Sequence, residues 1–123
     1  MPTLLLAEDN AFNQKVAATM LKKLGFEVEM AQNGQEALDK VAANGDYGLL
    51  FMDCEMPVMD GYQSTQKIRE LEQTTGKHIP IIAMTAHSSP EDRQQCLDSG
   101  MDDYIAKPFK IDALKGILEK WNM

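Results

Sequence analysis

The chain has 123 residues, 44% of them hydrophobic and 25% charged, which fits one ordinary globular domain with a single core. A formal net charge of −7 argues against a basic face for nucleic acid, and no apolar stretch approaches the length of a membrane span or a secretory signal. Two cysteines, Cys54 and Cys96, lie in different elements and form no CxxC pattern, so a reducing, cytoplasmic setting without membrane contact is the expectation.

Apolar runs alternate with helical patterns along the whole chain. The first run, Leu4-Leu5-Leu6-Ala7, predicts a strand over Thr3–Ala7 that runs straight into Glu8 and Asp9. A helix is expected over Ala11–Leu24, with Val16, Met20 and Leu24 on one face and Gly25 placed to end it. The second strand, Glu27–Ala31, alternates charged and apolar residues, as an edge strand does. Asn33 with Glu36 three residues on reads as a capping box opening a helix over Gly34–Ala43.

The third strand, Tyr47–Met52, carries Leu49-Leu50-Phe51-Met52 and delivers Asp53 into the loop that ends at Asp60-Gly61. A helix over Tyr62–Leu71 follows, then a linker-like stretch, Glu72–His78, too short to divide domains. The fourth strand, Ile79–Met84, delivers Thr85. Ser89-Pro90 supplies an N-cap and a first-turn proline for a helix over Pro90–Ser99, with Gly100 to end it. The fifth strand, Tyr104–Ala106, delivers Lys107-Pro108, and the helix Ile111–Trp121 puts Leu114, Ile117, Leu118 and Trp121 on one face.

Strands one, three and four are almost continuously apolar, as strands buried on both faces of a parallel sheet are. Five βα units with right-handed crossovers make an α/β, doubly wound three-layer sandwich, one domain over residues 1–123. In such sheets ligands bind at the carboxyl ends of the strands. If strands one and three are neighbours, Glu8, Asp9 and Asp53 converge there. Three clustered carboxylates repel and call for a cation or a raised pKa. An all-oxygen set without His or Cys suits Mg²⁺. An aspartate beside Mg²⁺ is a competent nucleophile toward phosphorus. Such chemistry rests on positioning and charge neutralisation, for which Lys107 offers a fixed positive charge and Thr85, ending strand four, a hydroxyl donor. The methionines Met52, Met56, Met59 and Met84 and the thiol of Cys54 read as packing rather than as ligands.

Glu8-Asp9, Asp53 with Met56-Pro57-x-Met59-Asp60-Gly61, Thr85-Ala86 and Lys107-Pro108-Phe109 together resemble the receiver domain of two-component response regulators, in order and along essentially the whole chain. The resemblance implies a flavodoxin-like (βα)5 fold with strand order 2-1-3-4-5. It implies Asp53 as acceptor of a phosphoryl group from phosphohistidine, with Thr85 and Lys107 binding phosphoryl oxygens. Mg²⁺ would be held by Asp9, Asp53 and the main-chain carbonyl of Glu55, with Glu8 acting through water. Thr85 and Tyr104 match the switch positions, and Lys107-Pro108 matches a bond that is usually cis in the family. The implied partners are a sensor histidine kinase or a histidine phosphotransfer domain, docking over Ala11, Phe12, Pro108 and Phe109. His87 would overlook the phosphoryl site, where family members tune hydrolysis. The implied assembly is a monomer or a phosphorylation-dependent dimer. The domain would promote its own phosphorylation and dephosphorylation rather than act as an enzyme on other substrates.

Glu8-Asp9-Asn10, Asn13-Gln14, Ala83-Met84-Thr85-Ala86-His87 and Gly100-Met101-Asp102-Asp103-Tyr104 narrow the resemblance to receivers of hybrid sensor kinases and phosphorelays. Three rivals are distinguishable. A dehalogenase-type phosphatase wants a second aspartate two residues after the nucleophile, where this chain has Glu55. A flavodoxin-like FMN binder wants a Ser/Thr/Gly-rich first loop, and here the loop reads Glu-Asp-Asn-Ala-Phe-Asn. A degenerate receiver would work by protein contact alone.

Overall fold

The computed structural model describes residues 3–44, 46–56, 58–85, 89–107 and 110–121. Its elements alternate strictly: β1 (Leu4–Ala7), α1 (Ala11–Lys23), β2 (Val28–Ala31), α2 (Gly34–Ala43), β3 (Leu49–Asp53), α3 (Gly61–Thr75), β4 (Ile81–Thr85), α4 (Pro90–Asp98), β5 (Asp103–Ala106) and α5 (Ile111–Lys120). The five strands form one parallel sheet in the order β2-β1-β3-β4-β5. This is the doubly wound flavodoxin-like arrangement expected from the sequence, with the alternating β2 at an edge.

Period-two alternation explains the three layers. Leu5, Ala7, Leu50, Met52, Ile81 and Ala83 pack on the face covered by α2, α3 and α4, with Ala37, Val41, Ile68 and Cys96. Leu4, Leu6, Leu49, Phe51, Ile82 and Met84 pack on the opposite face, against Ala17 and Leu21 of α1 and Leu114 and Leu118 of α5. Each central strand therefore serves two cores, which is why its sequence is unbroken in apolar residues.

Capping follows the sequence closely. The Asn33 side chain accepts from the Glu36 N–H at 2.8 Å, while the Glu36 carboxylate accepts from the N–H of Gln32 at 3.2 Å rather than from Asn33 itself. Ser89 caps α4 ahead of Pro90, and Gly25 and Gly100 take positive φ just past α1 and α4.

Two readings need correction. Glu72–Thr75 belong to α3, which ends at Gly76 with φ 75°; the stretch looked like a linker because its one inward residue, Glu72, is charged. On α1 the fully buried residues are Ala17, Ala18 and Leu21, with Val16, Met20 and Leu24 half-buried beside them. Met20 and Leu24 do pack against the core beside Ala17 and Leu21, and the most deeply buried stripe runs about one position further along the helix. Smaller shifts occur at strand ends: β3 takes in Asp53 and β4 takes in Thr85.

Candidate functional site

The sheet register builds the site. Ala7 pairs with Met52, Asp53 with Met84, and Thr85 with Ala106. Glu8, Asp53, Thr85 and Lys107 are thereby delivered side by side at the carboxyl edge of four adjacent strands. Two further main-chain bonds extend the ladder under them: the Cys54 N–H donates to Met84 O at 3.1 Å and the Lys107 N–H to Thr85 O at 2.7 Å.

The acids are drawn together by Lys107. Its ammonium donates to Asp53 Oδ2 at 3.0 Å and to Glu8 Oε2 and Oε1 at 3.1 and 3.3 Å. Glu8 and Asp53 are buried, while Asp9 is exposed. Glu8, Asp9 and Asp53 each offer a carboxylate oxygen within 4.8 Å of the others. The Glu55 N–H donates to Asp53 Oδ1 at 3.1 Å and fixes the carboxylate's plane. Against these groups lies a cleft of about 100 Å³ lined by Asp53, Cys54, Glu55, Met84, Thr85 and Lys107.

Electrostatics mark the cluster as short of positive charge. Burial, reinforced by the neighbouring Asp53, pushes the Glu8 carboxyl up to about 7, against the opposing pull of Asn13 and Lys107. Burial alone would lower the Lys107 pKa, but the Asp53 and Glu8 carboxylates outweigh it and raise the ammonium above its ordinary value. An oxygen-only donor set in which one carboxyl is held half-protonated near neutrality fits a hard divalent cation such as Mg²⁺.

This has a measurable consequence. In the folded, metal-free protein Glu8 holds its proton up to about pH 7, whereas the unfolded chain releases it near 4.5. The folded state therefore binds more protons between those values, and stability falls as pH rises through that window. Lys107, raised from 10.5, keeps its contribution throughout the same range. Urea unfolding in a chelator should show lower stability at pH 8 than at pH 5, and Glu8→Gln should flatten the difference. Equal slopes for parent and variant would assign the effect elsewhere.

The other predicted residues fall as follows. Tyr104 is half-buried against the core on the α2–α3–α4 side, with the Arg93 guanidinium of α4 over its ring at 4.6 Å from the centroid. Ala11 and Phe12 are exposed, Phe12 at 73%. Pro57, Ala86, His87, Pro108 and Phe109 lie outside the described residues, and with them the Lys107-Pro108 bond and half of the expected docking surface. Met52, Met56 and Met84 are core residues as expected. Cys54 and Cys96 are free, buried thiols with Sγ atoms 4.0 Å apart, and burial pushes Cys54 up to about 12, which makes it inert.

Sequence reasoning assigned no role to Asn13 and Gln14. Asn13 Nδ2 donates to Glu8 Oε1 at 2.8 Å, and Gln14 Nε2 donates to the Glu8 main-chain carbonyl. Their positions five and six residues after Glu8, in the first turn of the following helix, were the available signal.

Comparison with known proteins agrees with this geometry. The profile of the response regulator receiver domain matches residues 4–119. Hybrid signal transduction histidine kinases A and I of Dictyostelium discoideum are 43% and 44% identical over 118 residues, covering 95% and 93% of this chain. The chain spans only 6% and 7% of those relatives' own lengths. Among solved structures, the receiver domain of sensor histidine kinase PA1611 from Pseudomonas aeruginosa PAO1, with a magnesium ion coordinated in its active site cleft, superposes with a TM-score of 0.86. It is 44% identical, with 98% of this chain and 96% of that one covered. The receiver domain of the Saccharomyces cerevisiae response regulator Ssk1, co-crystallised with the histidine phosphotransfer protein Ypd1, gives a TM-score of 0.90 at 33% identity, covering 98% and 88%. With the fold, the strand-end site and a match running through the whole sheet in agreement, this chain belongs to the response regulator receiver domain family.

Proposed function

We propose that Asp53 accepts a phosphoryl group from a phosphohistidine, and that residues 1–123 act as one receiver unit in a two-component or phosphorelay system. The observation that carries this reading is the contact of Lys107 with both Glu8 and Asp53 beside the small cleft that Thr85 also lines. Asp53 oxygen bonds to phosphorus as the P–N bond breaks, and the departing imidazole keeps the bonding pair. Glu55 N–H holds one Asp53 oxygen while the other faces the Lys107 ammonium. That ammonium and the Thr85 hydroxyl would take the phosphoryl oxygens. Mg²⁺ held by Asp9, Asp53 and the Glu55 carbonyl, with Glu8 through water, would neutralise the crowded negative charge. The same residues would assist loss of the phosphoryl group to water.

Phosphorylation adds charge and acceptor oxygens at Asp53. Thr85 and Tyr104 would respond, shifting the population between two packings of β4, α4 and β5. The donor would be a sensor histidine kinase, and a histidine phosphotransfer domain would be a donor or onward acceptor. The exposed Phe12, just after the acids in sequence, suits a helical partner's apolar face, and by the family resemblance Ala11, Pro108 and Phe109 would contribute to the same docking. A cytoplasmic setting suits such partners. No helix among the described residues is long and apolar enough to cross a membrane.

The test is intact mass after incubation with acetyl phosphate, with and without Mg²⁺. A single phosphoryl adduct that needs Mg²⁺ and vanishes in Asp53→Asn is the expected result. If a purified phosphohistidine donor also leaves no adduct, the chain is a degenerate receiver that works by contact alone. Saturating Mg²⁺ should separately stabilise the parent, by about 2.7 kcal/mol at one hundred times Kd.

A further inference from the structure

We propose that Asn13 is a positioning residue for the divalent-cation site, and that through Glu8 it sets how tightly the acidic cluster takes Mg²⁺. The inference rests on the metal reading above.

Glu8 is 2% exposed, and a carboxylate that buried must have hydrogen-bond partners. Two side chains supply them. Lys107 reaches both oxygens but divides itself between Glu8 and Asp53, and as a cation it cancels charge that a metal would otherwise use. Asn13 Nδ2, at 2.8 Å from Oε1, is neutral. It fixes the carboxylate's orientation without spending its charge, and it stays available to Glu8 when Lys107 turns to a phosphoryl oxygen.

The backbone prepares this amide for the task. Asn10 caps α1 by accepting the Asn13 N–H at 3.0 Å, and the Gln14 N–H donates to Asn10 O at 2.9 Å. The first helical turn is thus held through main-chain donors, leaving the Asn13 side chain to face back toward β1. Gln14 grips the Glu8 main-chain carbonyl from the same turn. Glu8 is therefore held at its backbone and at its carboxylate by consecutive residues of one rigid helix start. Hydrogen-bond partners of metal-ligating groups of this kind orient the ligand and tune affinity.

Asn13→Leu keeps the side chain's size and removes the donor; Asn13→Ala removes both. Neither touches the cap, which uses the Asn13 main chain, and Asn13 is exposed. Both variants should therefore stay folded in a chelator, with only the modest loss in melting that one missing hydrogen bond to Glu8 brings. Calorimetric Mg²⁺ binding should show Kd raised about tenfold or more in both variants. At saturating Mg²⁺ the rate of phosphoryl uptake from acetyl phosphate should return to the parent's, because Asn13 does not reach the phosphoryl cleft. An unchanged Kd overturns the proposal. So does a rate that saturating Mg²⁺ fails to restore, since that would mark general disruption of the site. A parent that binds no Mg²⁺ overturns this proposal together with the metal reading, whereas parent binding with unaffected variants overturns this one alone.

Discussion

Replacing Arg69 with methionine should lower stability to unfolding by about 3–5 kcal/mol, the range for removing one partner of a buried ion pair. The guanidinium spends its donors on four partners: Glu72 at 2.6 Å, Asp102 at 2.6 Å, and the carbonyls of Gly100 and Ile79 at 2.9 Å each. Glu72 also accepts the Ile79 N–H, and Asp102 accepts the Ile81 N–H and contacts His78 Nε2. The Arg69, Glu72 and Asp102 side chains retain only 17%, 9% and 17% exposure, so methionine would strand two carboxylates away from water. The network pins the start of β4 and the α4–β5 turn against α3. Lysine, a point charge without the planar fork, should recover little of the loss. Urea unfolding measures both variants. A loss below about 1 kcal/mol would place the group among ordinary surface pairs. In Arg69→Met with Glu72→Met, the losses should sum to less than the two singles, because the second change removes a charge the first left unpaired.

What was legible in the sequence and what was not divide along the same physical line. Asp53, Thr85 and Lys107 stood out because each follows an apolar run that must be a buried strand, and a polar residue there has reached the sheet's edge. Glu8-Asp9 followed from the same rule on β1. The register that brings these ends into contact is a consequence of the parallel order, which is why the acidic cluster appears where four unconnected segments predicted it. Glu72 was invisible because its burial is bought by a distant arginine rather than by apolar periodicity. The burial of Ala17 and Ala18 on α1 was missed because small residues carry weak hydrophobic signal. Asn13 and Arg93 act on Glu8 and Tyr104 across a turn or between elements, and a pattern read along one chain contains no distances of that kind.

Gly61→Ala should damage the site more than its stability cost explains. A Cβ at Gly61 would lie 2.2 Å from the Asp53 main-chain oxygen and 3.0 Å from both the Asp53 carbonyl carbon and Cys54 Cα. These are backbone atoms of the strand end itself, so no side-chain rotation relieves the clash. Nor can Gly61 retreat freely. Its N–H donates to Cys54 O at 3.2 Å, and Asp60 beside it caps α3 by accepting the Gln63 N–H at 2.9 Å. The loop between is already under strain, with the β-branched Val58 at φ 70°. The strand end must give way, and Asp53 with it. Overpacking of this sort costs about 1–3 kcal/mol or somewhat more, and a displacement near 1 Å at a reacting group can slow chemistry by about 100-fold. Gly76→Ala is the matched control: its φ of 75° strains any side chain, but the space around it is open and it lies at the far end of α3. Both variants should lose stability in urea, and only Gly61→Ala should lose phosphoryl uptake measured by intact mass where both remain folded. Equal uptake in the two would mean that the strand end tolerates the shift and that Asp53 does not depend on this approach for its position.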